Sequence, residues 1–186
     1  LIGDILDIAR IESGRMSLNP QRAHLAELVE SVGRVFDGMA RQKDLSLTLA
    51  IDASARRDVL VDPMRFKQIL SNLVSNAIKF TAHGHVRVEL ALHPGTGPDA
   101  LQLALSVSDT GIGISQIDQK RLFQPFAQVA PDSSLARNGT GLGLMISRSL
   151  CATMGGQLTL HSEPGHGTEV RVGMPLIGLA TDEKLV

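Results

Sequence analysis

Four polar side chains stand at near-helical spacing between residues 68 and 79, in the run Gln68-Ile-Leu-Ser-Asn72-Leu-Val-Ser-Asn76-Ala-Ile-Lys79-Phe80-Thr81. The spacing puts Gln68, Asn72, Asn76 and Lys79 on nearly one helix face, among apolar residues that occupy the others. An amide oxygen is a hard ligand suited to Mg²⁺, and a lysine ammonium neutralises phosphate. A helix standing alone would carry the same four residues as a solvated stripe opposite its core. The stripe therefore needs company before it means chemistry.

Glycines supply that company. Of the 18 in the chain, many concentrate in Asp109-Thr-Gly111-Ile-Gly113, Gly139-Thr140-Gly141-Leu142-Gly143 and Gly165-His-Gly167-Thr168. Without a Cβ in the way, glycine backbone N–H groups can turn toward a phosphate, and a helix N-terminus adds favourable partial charge. The second cluster runs into a predicted helix starting near Leu142. Taken singly, each cluster is more often a plain turn. No glycine is followed by lysine, so the Walker A loop is absent, and Gly95-x-Gly97-x-x-Ala100 falls between two strands instead of opening a helix.

The elements that must position these residues follow from hydrophobic period. Residues 1 to about 11 read as a helix with one apolar stripe, without an N-cap, stopped by Ser13-Gly14. Leu28, Val29, Val32, Val35, Phe36 and Met39 predict a helix from Leu25 to about Gln42. Alternation at Leu45, Leu47, Leu49 and Ile51 predicts a strand. Val59-Leu60-Val61 is a short strand, and Asp62-Pro63 then opens the helix that carries the polar stripe to about Thr81. Strands at Val86/Val88/Leu90 and Leu101/Leu103/Leu105/Val107 are joined by turn residues, as are strands at Leu158/Leu160 and Val170/Val172. Ser115 to Asp118 has capping-box spacing, residues 127–138 lack any period, and Leu142, Ile146, Leu150 and Met154 mark a last helix ended by Gly155-Gly156. The fold class expected is α+β: a two-layer α/β sandwich with one mixed, mostly antiparallel sheet and helices on one face.

The 186 residues suit one domain plus a short extension, and a chain of this length buries about 70% of its unfolded surface without staples. Cys151, the one cysteine, has no partner within the chain and reads as a buried thiol. A net charge of −1, scattered basic residues and five Phe argue against a nucleic-acid surface. His83 and His85 beside Gly84 read as a surface turn, not a zinc site.

Taken together, the motifs resemble those of sensor histidine kinases. Asn72 to Thr81 is similar to the N box, Asp109 to Gly113 to the G1 box, Phe123-Gln-Pro-Phe126 to the F box, Gly139 to Gly143 to the G2 box, and Gly165 to Thr168 to the last glycine box. All five occur in the family's order. The wording is most similar to the catalytic core of hybrid, BvgS-type sensor kinases. Residues 1–14 resemble the end of the second helix of the dimerisation and phosphotransfer (DHp) domain. Residues 15–176 then form the catalytic domain with an ATP lid at about 115–138, and 177–186 a tail or linker.

What the resemblance implies is a Bergerat-fold site for ATP and Mg²⁺. Asp109 would accept from the adenine amine, with Gly111, Gly113 and Thr168 shaping the base pocket. Asn76 would bind Mg²⁺, with Asn72 beside it and Lys79 on the phosphates as the catalytic pair. Gly139, Thr140, Gly141, Leu142 and Gly143 would hold the polyphosphate. Phe123 and Phe126 read better as lid anchors than as ligand contacts. Where the family often has two glycines before the G2-box threonine, Asn138 takes the first position, and Asn tolerates positive φ.

The implied partners are a phosphoacceptor histidine of a DHp domain, in cis or in trans, and a downstream response-regulator receiver domain. A full-length homodimer is expected, with the fragment monomeric, in a cytoplasmic domain of a protein anchored in the bacterial inner membrane. None of the six histidines (24, 83, 85, 93, 161, 166) is followed by Glu or Asp, as the family's acceptor is. These residues are thus expected to bind ATP without phosphorylating themselves. Related ATPases of the superfamily carry a Glu one turn before the Mg²⁺ asparagine. Here Asn72 stands there, and an amide takes up no proton at neutral pH, which favours transfer to a protein group over hydrolysis. A non-catalytic scaffold domain is the remaining reading.

Overall fold

The structure, a computed structural model, describes residues 2–123 and 141–180. In chain order the elements are α1 (Ile2–Glu12), β1 (Gln21–His24), α2 (Leu25–Gln42), β2 (Ser46–Ile51), a 3₁₀ turn (Ala53–Ala55), β3 (Asp58–Val61), α3 (Pro63–Phe80), β4 (His85–Pro94), β5 (Ala100–Asp109), α4 (Gln116–Gln119), α5 (Gly143–Thr153), β6 (Gln157–Glu163) and β7 (Gly167–Gly178). The strands form one sheet in the order β1-β3-β7-β5-β4-β2, with β6 pairing along the first part of β7. Only β2 and β4 run parallel among the described pairs.

Period-2 alternation gives this sheet a single apolar face. Leu90 stands opposite Leu105, which stands opposite Val172, which stands opposite Leu158; Val88, Val107, Val170 and Leu160 make the next row. Apart from the half-buried Leu160, these residues are all buried. Over that face α2 lays Leu25, Val29 and Val32, α3 lays Phe66, Ile69, Leu70, Leu73, Val74, Ala77 and Ile78, and α5 lays Ile146 and Leu150. Each fully buried Leu, Ile or Phe contributes about 1.5–3 kcal/mol. The opposite face carries ion pairs such as Arg87 with Glu89 and Arg171 with Glu169, both 2.8 Å.

Local chemistry sets the ends of α3 and α2. Asp62 caps α3, its Oδ1 accepting from the Arg65 N–H at 3.0 Å, and Pro63 takes the first helical position. At the end of α2, Leu45 N–H donates to the Ala40 carbonyl (2.9 Å) and Asp44 N–H to Arg41 (3.0 Å), a Schellman turn that holds Asp44 at φ 54°.

The expected α+β sandwich is the one observed, with three differences in detail. Gln21 to His24 forms an antiparallel edge strand against β3 that no apolar alternation announces. Residues 53–55 form a 3₁₀ turn. Strand β7 continues to Gly178, past the start of the expected tail at 177, because Val59 and Leu60 pair with Gly178 and Ile177. Residues 181–186 of that tail lie outside the described residues. Among the described residues no helix is long and apolar enough to cross a membrane.

Candidate functional site

Asp109, Gly111, Gly113 and Thr168 meet where β5 ends, α3 ends and β7 begins. Asp109 is the last residue of β5 and stands opposite Thr168. Its Oδ1 accepts from the Gly111 N–H at 2.8 Å. Burial pushes this carboxyl above its ordinary range, while the Gly111 and Thr168 N–H groups and the Thr81 hydroxyl hold it down in part. Thr81 is fully buried at the C-cap of α3 and donates its hydroxyl to the Ala77 carbonyl (2.7 Å), with that hydroxyl lying beside the Asp109 carboxyl. No cation pairs with Asp109 among the described residues. The result is a half-buried carboxylate braced on one side, suited to accept from a neutral N–H donor.

Two tight approaches shape the wall around it. Gly113 has φ +68° and a Cβ there would collide with the Glu163 carbonyl; Gly167 has φ +87° and a Cβ would collide with the Asp109 carbonyl. Only glycine meets both demands. The loop after β5 is thereby pressed onto the β6–β7 turn, with Gly165 N–H donating to the Ile112 carbonyl at 2.7 Å. Ser162 organises the junction: its Oγ accepts from Ile114 N–H (2.8 Å), donates to the Gly167 carbonyl (2.8 Å) and lies 2.8 Å from the Thr168 hydroxyl. Gln119 Nε2 adds bonds to the Ile114 and Ser162 carbonyls, both 2.8 Å. Neither Ser162 nor Gln119 is marked by any motif; both act through partners that only the fold brings near.

The polar stripe of α3 divides into two kinds of residue. Arg65 and Gln68 are engaged by Asp7 of α1: the carboxylate accepts from Arg65 Nη1 (3.0 and 3.1 Å) and from Gln68 Nε2 (2.7 Å), and Arg65 also donates to Gln68 Oε1 (2.8 Å). Asn72 reaches α5, its Nδ2 donating to the Gly143 carbonyl and to Ser147 Oγ, each 3.2 Å. Beyond it, Asn76 and Lys79 are half-buried, and among the described residues neither side chain has a hydrogen-bond or ion-pair partner. Lys79 Nζ lies 4.9 Å from the centre of the Phe80 ring, and loss of solvent lowers its pKa.

Helix α5 begins at Gly143 behind the buried Leu142, an apolar residue at the N-cap position that makes no side-chain cap hydrogen bond. Gly141 precedes it with φ +70°. The first-turn N–H groups of such a helix favour an anion. Asn138, Gly139, Thr140 and Phe126 lie outside the described residues. Phe123 is packed against the core with the Arg148 guanidinium 4.5 Å from its ring centre. Cys151 is buried with its pKa pushed up to about 12, a packed thiol and not a reactive one.

Similarity to known proteins follows the same geometry. Residues 61–178 match the family described as "Histidine kinase-, DNA gyrase B-, and HSP90-like ATPase". The virulence sensor protein BvgS of Bordetella bronchiseptica is 52% identical over 177 residues, which cover 95% of this chain and 14% of that relative. For the sensor histidine kinase GacS of Pseudomonas protegens the identity is 40% over 178 residues, covering 95% and 19%. The chain thus spans under a fifth of the length of these curated relatives. Among solved structures, full-length ShkA in complex with AMPPNP superposes with a TM-score of 0.83 at 29% identity, over 97% of this chain and 36% of that one. With the motifs in family order and the sheet, helices and glycine walls in place, the chain belongs to the histidine kinase-, DNA gyrase B- and HSP90-like ATPases.

Proposed function

We propose that this chain binds ATP with Mg²⁺ and serves as the catalytic domain that passes the γ-phosphoryl group to a histidine of a DHp domain. The observation that carries the reading is the division of the α3 stripe: among the described residues the Asn76 and Lys79 side chains make no hydrogen bond or ion pair, one and two turns past an Asn72 whose Nδ2 is committed to α5. The polar atoms of Asn76 and Lys79 keep access to solvent, which leaves them open to a metal or a phosphate. An amide oxygen and a lysine on the helix that Asn72 ties to the start of α5 suit a metal-bound polyphosphate.

ATP supplies the phosphoryl group and Mg²⁺ the charge that neutralises its oxygens. The chain's own residues bind and orient. Asp109 accepts from the adenine amine, with Gly111, Gly113 and Thr168 fixing the ring's walls. Asn76 would hold the metal, Lys79 would meet the phosphates, and Gly139, Thr140, Gly141, Leu142 and Gly143 would bind the polyphosphate. Asn72 holds the α5 N-terminus in place through Gly143. Because its amide takes up no proton, water lacks a general base there, and the acceptor is a protein histidine instead. That acceptor, the receiver domain that would follow, the dimer and the membrane anchor belong to the longer protein in this reading; the sensor and kinase names of the relatives support it.

The test is calorimetry of ATP binding with and without Mg²⁺. Asn76→Ala should abolish the gain that Mg²⁺ brings, weakening binding by about tenfold to a hundredfold. Equal affinities for parent and variant in both conditions would overturn the metal assignment. Incubation with ATP and a separately prepared DHp domain should then give acid-labile phosphohistidine, and its absence with the native partner would favour a scaffold.

A further inference from the structure

Lys43, at the C-cap of α2, is bound to another helix. Its Nζ donates to the carbonyls of Ile78 (2.6 Å), Lys79 (3.2 Å) and Thr81 (2.8 Å), the closing turn of α3. An ammonium has three donors, and here each meets a carbonyl that the helix leaves unsatisfied. Among the described residues Lys43 pairs with no carboxylate, so its half-buried charge is held by these carbonyls and by the negative end of the α3 dipole.

The one carbonyl of that turn left out, Phe80, faces the other way. It accepts from the Ile112 N–H at 3.3 Å, and a Cβ on Gly111 would run into it. The same turn is therefore gripped from two sides, by α2 through Lys43 and by the loop that follows Asp109. Thr81, which stands beside the Asp109 carboxyl, is bound to Lys43 through its own carbonyl.

We propose that Lys43 is a positioning residue for the base pocket, clamping the end of α3 so that Phe80 and Thr81 present a fixed floor to Asp109 and Gly111. The inference rests on the nucleotide reading above only for its binding readout. Lys43 touches no reacting group; it acts through the Ile78 to Thr81 backbone.

The experiment uses the whole 186-residue chain and starts without ligand. Lys43→Met keeps the aliphatic stem and removes the donors. Hydrogen exchange should speed up by about tenfold at the Gly111 and Ile112 amides and stay unchanged in the β4–β5 ladder. Adenosine and Mg-ATP affinities, measured well below the melting temperature, should then fall by the same factor, again about tenfold. Unchanged protection at Gly111 and Ile112 in a folded variant overturns the proposal, as does a loss confined to ATP, which would place the effect on the phosphates. If Lys43→Met does not fold, Lys43→Arg decides: it keeps the charge but not the compact three-way donor, so the same two amides should exchange faster by a smaller factor, and parental protection there overturns the clamp. If the parent binds no adenosine at all, the functional reading fails while the exchange result still judges Lys43.

Discussion

The two ends of α3 carry the same kinds of residue and use them oppositely. At its start, Arg65 and Gln68 share a carboxylate with α1, and the side chains of Arg65 and Asp7 are only 10% and 13% exposed. At its end, Asn76 and Lys79 keep polar atoms half-buried with no partner among the described residues. Asn72 lies between, committed to α5. The comparison teaches that helical spacing selects a face but does not say what meets it. Where the fold delivers a partner, the polar group ties two elements together; where none stands among the described residues, the group stays open to solvent.

The largest effect expected from breaking this contrast is on stability, at the paired end. Arg65→Met leaves Asp7 as a nearly buried carboxylate without its cation, and removal of one member of such a pair costs about 3–5 kcal/mol. Gln68 still donates to Asp7, which places the loss toward the lower figure. In a domain of this size each kcal/mol lowers the melting temperature by about 2–4 °C. Thermal melting should record the drop, with ATP affinity at low temperature unchanged. A weakened affinity with little change in melting would show that the start of α3 belongs to the site after all.

Much of the fold could be read from period alone. The alternation in β4 and β5 and the apolar faces of α2 and α3 each follow from which residues must be buried. β1 could not be read that way, since Gln21-Arg-Ala-His24 owes its conformation to backbone pairing with Val61 through Asp58. The site divides likewise. Asp109, Gly113 and Gly167 stand out in the sequence through the glycine motifs they belong to, and the tight backbone approaches at Gly113 and Gly167 give the physical reason for glycine there. The split of the stripe is not legible, because Asp7 lies 58 residues from Arg65 and Gly143 lies 71 from Asn72. Lys43 is hidden for the same reason: nothing near residue 43 in the chain announces the carbonyls of the α3 terminus.

Asn72 offers the intermediate case. Asn72→Ala removes two hydrogen bonds of 3.2 Å between α3 and α5. At about 0.5–1.5 kcal/mol each, the net loss should be about 1–3 kcal/mol. Because the Gly143 carbonyl belongs to the first turn of α5, the same substitution should weaken ATP binding by about threefold to tenfold. A joint decline in melting temperature and affinity would mark Asn72 as the joint between the two ends. A fall in affinity alone would move it into the ligand-binding group with Asn76.

Lys79 should give the smallest change in stability and the sharpest separation of the two roles. Desolvation lowers its pKa in the folded chain, so between the folded value and its ordinary one the unfolded state holds the proton more tightly. Stability should accordingly rise as pH climbs through that window, and at neutral pH the charged side chain is a small cost. Lys79→Met removes the cost, so the melting temperature should stay level or rise by an amount worth a few tenths of a kcal/mol. Affinity for ATP should fall, by about tenfold, because a phosphate charge loses its neutralising partner, while affinity for adenosine should hold. Equal losses for adenosine and ATP would mean that Lys79 serves the pocket's shape and not the phosphates. A fall in melting temperature would mean that the ammonium already has a partner, and the contrast between the two ends of α3 would close.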